Sequence, residues 1–285
     1  PAGVIGWTMV LEDGGAPLLR FTPDLRSGGV VPDAEALNHQ LEQMVRGWQP
    51  EVEGALARQG DPGRAAALAA RFAPLFPANY RNLYNPEEAA RDILRLRDLD
   101  ADKPRSVRLA RTSLDGDDRL RLKVYSAVGP LALSDVVPAL EHFGFEVLEE
   151  IPTTLGAGRP ADSDGEGGEP PIVIHDFSLR LPASVDELAL IPYTEVIEGA
   201  IVAVLDGTAE NDAVNELVLV TQTHPHAIGW LGAWFRYMRQ GGSSYGLDTV
   251  VAALRHAPAL THALIERFRA LHDPASHDAA RAAAL

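Results

Sequence analysis

The spacing of apolar positions changes several times along the chain, and each change marks a new predicted element. Residues 4–11 and 18–21 alternate loosely about a turn at Asp13-Gly14-Gly15, as in two paired strands. From Asp33 the period becomes helical, with Leu37, Leu41, Met44, Val45 and Trp48 on one face, and Pro50 is expected to end that helix. A second helix is predicted over Pro62–Phe72, followed by the aromatic segment Phe76 to Tyr80. A third starts at Asn85-Pro86-Glu87-Glu88, where Asn85 suits the N-cap, Pro86 the first turn and the glutamates the positive end, and Ile93, Leu94, Leu96 and Leu99 continue its face.

A two-residue period then returns. Val107 and Leu109 occupy one strand, Asp115 to Asp118 a turn, and Leu120, Leu122 and Val124 alternate along the other. A short helix from Ser134 uses Val136, Val137, Leu140 and Phe143, tolerates Pro138 near its start, and closes at Gly144, where positive φ is needed. Strands are expected over Phe145–Ile151 and again over Ile172–Ile174 and Phe177–Leu181, separated by an acidic Gly/Pro-rich surface loop at 156–170. Beyond Pro182 every segment reads as helix. The longest rhythmic stretch, Gly207 to Gln240, sets a polar knot at Glu210, Asn211 and Asp212 against an aromatic stripe of Trp230, Trp234, Phe235, Tyr237 and Met238.

Composition narrows the function classes. The 285 residues carry 40 acidic and 25 basic side chains, a formal charge of −15, which repels nucleic acid and anionic membranes at long range. No apolar run approaches the roughly 20 residues that span a bilayer, and no cysteine is present to form a disulfide or a thiolate site. A cytoplasmic protein fits these features. Lysine occurs only at Lys103 and Lys123, so mechanisms that need several lysines are excluded here. The chain opens on Pro1 and directly on a strand, and it is expected to be a piece of a longer polypeptide.

Several short motifs spell chemistry in the wrong context. Gly156 to Ala161 matches G-x-G-x-x-A, yet Pro160 and an acidic loop follow instead of a helix facing a pyrophosphate, so a loop is expected. Gly242-Ser243-Ser244-Tyr245-Gly246 spells G-x-S-x-G, but its serine follows a helix, not a strand, and a helix-to-helix turn is expected. His224 and His226 lack a third ligand at metal spacing and read as a helix junction, and His175-Asp176 reads as a strand end or turn. Glu210, Asn211 and Asp212 are expected to cap and join helices, with Trp234 and Tyr237 in a core or interface; no catalytic, cofactor or metal site is predicted within the chain.

Three segments read together resemble the large bacterial type of NAD-specific glutamate dehydrogenase. They are YRNLYNPEEAARDILRL from Tyr80 to Leu96; LALSDVVPALEHFGFEVLEE from Leu131 to Glu150, with HDF at His175 to Phe177; and AENDAVNELVL from Ala209, followed by WFRYMRQ. The resemblance implies an α+β fold in which a ferredoxin-like, ACT-type antiparallel sheet with helices precedes an all-helical domain. It places the tail strands of a preceding ACT-like unit in 1–30, a helical connector in 31–100, the ACT-like domain in 101–182 and a helical domain leading to a catalytic core in 183–285. The implied partners are that core and other subunits of a homo-oligomer, with NAD bound in the parent enzyme outside this stretch. ACT-type domains bind amino acids after their first strand, which corresponds here to Val128-Gly129-Pro130 and Ser134-Asp135; Gly129, Ser134 and Asp135 are the candidate effector residues, and Ser134 and Asp135 also suit helix caps. An independent amino-acid-sensing module, unattached to a dehydrogenase, is the alternative.

Overall fold

The computed structural model describes residues 4–10, 18–23, 47–60, 62–111, 119–156, 170–182, 185 and 187–274. Two compact units divide the chain, Pro1–Glu51 and Val52–Leu285. In the first, β1 (Val4–Val10) pairs antiparallel with β2 (Leu18–Pro23), placing Trp7 opposite Phe21 and Met9 opposite Leu19. The helix expected from Asp33 lies outside the described residues except at its end. There the expectation about Pro50 is corrected: helix α1 runs Trp48–Gln59 and contains Pro50 in its first turn. A proline is harmless at that position because a first-turn amide has no intrahelical acceptor to lose.

In the second unit, helices α2 (Pro62–Phe72), α3 (Ala78–Leu83) and α4 (Pro86–Arg97) precede the sheet. Asn85 caps α4, its side-chain oxygen accepting from the Glu88 amide at 2.9 Å, and Pro86 follows it in the first turn. Strands β3 (Arg105–Ala110), β4 (Arg119–Ser126), β5 (Glu146–Thr154) and β6 (Val173–Arg180) form one antiparallel sheet in the order β3-β4-β6-β5, with helix α5 (Leu133–His142) between β4 and β5. The β4-α5-β5-β6 run has the connectivity of a ferredoxin-like unit, and β3 extends it beyond β4. The strand expected over 172–174 and 177–181 is β6. The acidic stretch 157–169 and the hairpin turn 112–118 lie outside the described residues.

Alternation sends the two faces of the sheet to different environments. Val107, Leu122, Val124, Phe177 and Leu179 point to a common apolar core with Val136, Leu140 and Phe143 of the α5 region. Helix α6 (Glu187–Leu190) leads to α7 (Thr194–Leu205), which adds Ile197, Ala200, Ile201 and Val204 to that same core. The core continues through Leu217, Val218 and Leu219 of α8 (Glu216–Thr221), then into α9 (Pro225–Gln240), α10 (Leu247–His256) and α11 (Pro258–His272) by way of Ile228, Leu231, Val251 and Ile265. The ACT-like sheet and the helices after it therefore share one interior. The opposite face, bearing Arg108, Lys123 and Asp176 in one cross-strand row, turns towards α3 and α4.

Gly144 closes α5 at φ 92°, and a Cβ there would meet Glu216 Cγ at 3.1 Å and Pro182 Cγ at 3.3 Å. Gly207, which follows α7 at φ 70°, has open space around that position. Gly144→Ala is expected to destabilise by more than the about 1–2 kcal/mol of left-handed backbone cost, whereas Gly207→Ala should lose only that cost. Chemical denaturation of the two variants checks the order, and equal losses would show that the α5–α8 junction is not tightly packed.

Candidate functional site

Packing α4 against the polar face of the sheet brings together charges that in sequence look like two separate solvated surfaces. Glu88 and Asp92 lie one helical turn apart on α4. Asp92 is fully buried and Lys123, in the middle of β4, is 2 % exposed. Two buried charges are tolerable only when neutralised and fully hydrogen-bonded, and here they are. Lys123 Nζ donates to Asp92 Oδ2 at 2.7 Å and lies 2.8 Å from Glu88 Oε1. Tyr80 and Tyr125 hydroxyls donate to the two Asp92 oxygens at 2.5 and 2.7 Å. Arg108 Nη2 reaches Glu88 and, at 3.2 Å, Asp92 Oδ1, while its Nε donates to the Tyr125 hydroxyl at 3.1 Å.

The cluster extends to β6. Tyr84 Oη donates to Asp176 Oδ2 at 2.5 Å, and Arg121 Nη1 approaches Asp176 Oδ1 at 3.5 Å. The Lys123 ammonium sits 4.2 Å from the centre of the Tyr84 ring, within cation–π range. The electrostatics follow from this placement. Burial alone would raise the Glu88 carboxyl, but Lys123 and Arg108 overcome it and hold the group down to about 2. Burial and the Asp92 charge push the Tyr80 and Tyr125 phenols well up, so both remain donors at any physiological pH. Burial also raises the Asp176 carboxyl, against the lowering effect of Lys123.

A cleft of about 810 Å³ opens beside the cluster, between α3–α4 and the start of β4; Arg91, Arg108, Arg111, Arg121, Glu88 and Asp176 line it. A second polar link ties the same helix to the other side of the fold. Glu198, buried on α7, accepts from Arg95 Nη2 of α4 at 2.8 Å and from the Leu109 amide of edge strand β3 at 2.8 Å. That amide would otherwise face outward unpaired.

The residues expected to bind an effector occupy the β4–α5 connection. Gly129 has φ 92°, and its carbonyl accepts from Ser126 Oγ at 2.7 Å. Ser134 and Asp135 do not cap α5: the N-cap is Ala132, without a side-chain bond, and the Ser134 hydroxyl instead reaches Asp135 Oδ1 at 3.3 Å. The N-cap lies two residues before Ser134, which leaves both in the first turn. His175 and Asp176 are also corrected from a strand end to the interior of β6, where both are buried on opposite faces. His175 Nε2 accepts from the Leu131 amide at 3.1 Å, which places its proton on Nδ1, 2.8 Å from Glu150 Oε1. Its role is to tie the β4–α5 connection to the sheet.

The polar knot is distributed among three neighbours. Glu210 Oε2 accepts from Arg236 Nη1 of α9 at 2.5 Å, Asn211 Oδ1 lies 2.7 Å from His142 Nδ1 at the end of α5, and Asp212 accepts from the Val214 amide at 3.0 Å to cap a short 3₁₀ turn. Trp234 packs edge-on against Phe268 of α11 with centroids 5.1 Å apart, whereas Tyr237 is 77 % exposed. His224 caps α9 by accepting from the His226 amide at 3.3 Å, and Gly242 to Gly246 joins α9 to α10. Reading from the sequence missed the Asp92 cluster. The available signal was an acidic pair at i, i+4 beside the apolar face of Ala89, Ile93 and Leu96, together with one of only two lysines inside a strand; neither names its partner.

Comparison with known proteins follows this geometry segment by segment. Residues 104–190 match the family model described as glutamate dehydrogenase, ACT3 domain; residues 55–99 match helical motif 2 and residues 209–274 helical motif 3 of the same enzyme. The chain is 29% identical over 252 residues to the NAD-specific glutamate dehydrogenase of Pseudomonas aeruginosa, covering 88% of this chain and 15% of that protein. It is 29% identical over 261 residues to that of Halomonas elongata, covering 90% and 16%, and 29% identical over 240 residues to that of Mycobacterium tuberculosis, covering 82% and 14%. The chain thus spans about 15% of the length of the curated relatives it matches. The cluster joins the segment matched by helical motif 2 to the one matched by ACT3.

Removing one partner from such a cluster strands the others. Lys123→Met is expected to cost about 3–5 kcal/mol, measured by urea unfolding, because Asp92 and Glu88 lose their shared cation in a buried setting. The folded-state pKa of Glu88 lies below its ordinary 4.5, so its stabilisation is complete above that pH and is lost as pH falls towards about 2. Glu88 should therefore contribute about 3 kcal/mol to the acid-induced loss of stability across that window. A Glu88→Gln variant, less stable at neutral pH, should decline less steeply; parallel declines would remove Glu88 from the cluster.

Proposed function

Since the chain belongs with the NAD-specific glutamate dehydrogenases through its ACT3 and helical-motif segments, we propose that it serves such an enzyme as a regulatory and scaffolding section. The observation that carries this reading is the two-sided clamp on the ACT-like sheet. One face shares an apolar core with α5, α7 and the helices of motif 3, and the other is locked to motif 2 by the Asp92 cluster. A displacement of the sheet would be felt by both helical segments, because neither interface can slide without exposing apolar surface or separating buried charges.

In this proposal the parent polypeptide deaminates L-glutamate oxidatively to 2-oxoglutarate and ammonia with NAD, in the cytoplasm. Its partners are its own catalytic core and the other subunits of a homo-oligomer. The described residues do not fit NAD: the sheet is antiparallel throughout, and the one strand-to-helix connection within it, β4 to α5, lacks the glycine-rich turn of a dinucleotide fold. No step of the reaction is routed through this chain. The helical stretch to residue 100 is a connector, the ACT-like domain takes 101–182, and the helices from 183 lead to the core. Among the described residues no helix is long and apolar enough to cross a membrane.

An amino-acid effector would sit at Gly129, Ser134 and Asp135. Gly129 allows a close approach to the backbone, and the first turn of α5 lacks a side-chain cap, leaving amides to meet a carboxylate. The His175–Leu131 bond would carry the resulting loop position into β6.

NAD reduction with L-glutamate is expected from the full polypeptide carrying this stretch and not from the 285 residues alone; turnover by the chain alone would overturn the proposal. Calorimetry against the common amino acids tests the effector. Heat that is lost in Asp135→Ala supports the site, and no heat with any amino acid leaves assembly as the role.

A further inference from the structure

The cleft beside the Asp92 cluster shares Glu88, Arg108 and Asp176 with it but lies apart from the proposed effector position, and it has the composition of a binding site. In a chain with formal charge −15, its lining carries four guanidiniums against two carboxylates. We propose that this cleft binds a small dicarboxylate anion, held between the helical motif 2 segment and the ACT-like sheet.

Three features support a dianionic carboxylate. The cations with donors to spare come from separate elements, Arg91 from α4 and Arg108 from β3, so they face the cavity from two sides instead of converging on one point. Guanidinium is the side chain whose fork matches a carboxylate in a bidentate pair. Second, donors remain. Arg108 commits Nε and Nη2 to Tyr125, Glu88 and Asp92, which leaves Nη1 without a protein partner among the described residues. Arg91 commits only Nη1, to Glu88 at 2.9 Å, and Asn85 commits only its carbonyl oxygen as a cap, keeping its amide hydrogens. Third, the volume of about 810 Å³ lies in the range of small-molecule clefts, and Leu83 and Ala110 supply an apolar wall for a short methylene chain.

The site is distinct from the proposed effector position. Arg121 lies near the beginning of β4, whereas Gly129 lies beyond its end. An anion bound between Arg91 and Arg108 would share the guanidiniums that Glu88 now holds, and would therefore tighten α4 onto the sheet.

Calorimetry and thermal unfolding of the chain test this with succinate and glutarate as probes, beside acetate, inorganic phosphate and sodium chloride at matched ionic strength. The expected result is saturable heat and a raised Tm with a dicarboxylate, weaker binding of acetate, and no matching shift with chloride. Affinity should fall at least tenfold in Arg91→Ala, whose side chain is half-exposed, and similarly in Arg108→Gln. Absence of saturable binding, preference for phosphate, an equal effect of chloride, or unchanged affinity in Arg91→Ala would each overturn the proposal. Loss of dehydrogenase activity has no bearing on these readouts, so this inference and the regulatory reading fail separately.

Discussion

The structure depends on one solvation problem: Asp92 and Lys123 are both withdrawn from water, and each is tolerable only through the other. Asp92 receives Tyr80, Tyr125, Lys123 and Arg108, which come from α3, β4 and β3 while Asp92 itself rides on α4. An apolar interface of the same area would hold these elements together about as strongly. What directional hydrogen bonds add is a single register, because sliding α4 along the sheet would break several at once. The helical segment before the sheet is therefore keyed to it.

The other face of the sheet solves a different problem. Val124, Phe177 and Leu179 meet α5 and α7 in an apolar core that runs on into α9, α10 and α11. Close apolar packing fixes this face by shape, whereas directional hydrogen bonds fix the ionic one. Glu198 bridges these two regimes, since it sits on α7 and holds both Arg95 of α4 and the backbone of β3. One face is thus held by close apolar packing, the other by directional charge pairing, with a polar tie between them.

Much of the element order was legible from local pattern. The Asn85 cap and the Gly144 stop appear where side-chain reach and positive φ require them, and the β4 alternation appears as a strand. Element ends depart from the local pattern where a residue takes a role other than its commonest. Pro50 was expected to end a helix and lies in the first turn of one; Ser134 and Asp135 were expected as caps and follow Ala132 instead. His175-Asp176 was expected at a strand end because polar residues usually mark one, but β6 buries both, each on a different face.

The sequence by itself determined the elements, their order and the apolar face of each, because periodicity, capping and backbone conformational limits act over a few residues. It also carried the resemblance to the NAD-specific glutamate dehydrogenases. Only the tertiary structure decided that Arg108, Lys123 and Asp176 form an interior row and not a solvated face. The reason is that the neutralising partners lie far along the chain, 31 residues from Lys123 to Asp92 and 103 from Arg95 to Glu198. A charge in a strand reads as exposed until the helix that buries it is in place, and the arginine-lined cleft exists only once that helix has docked.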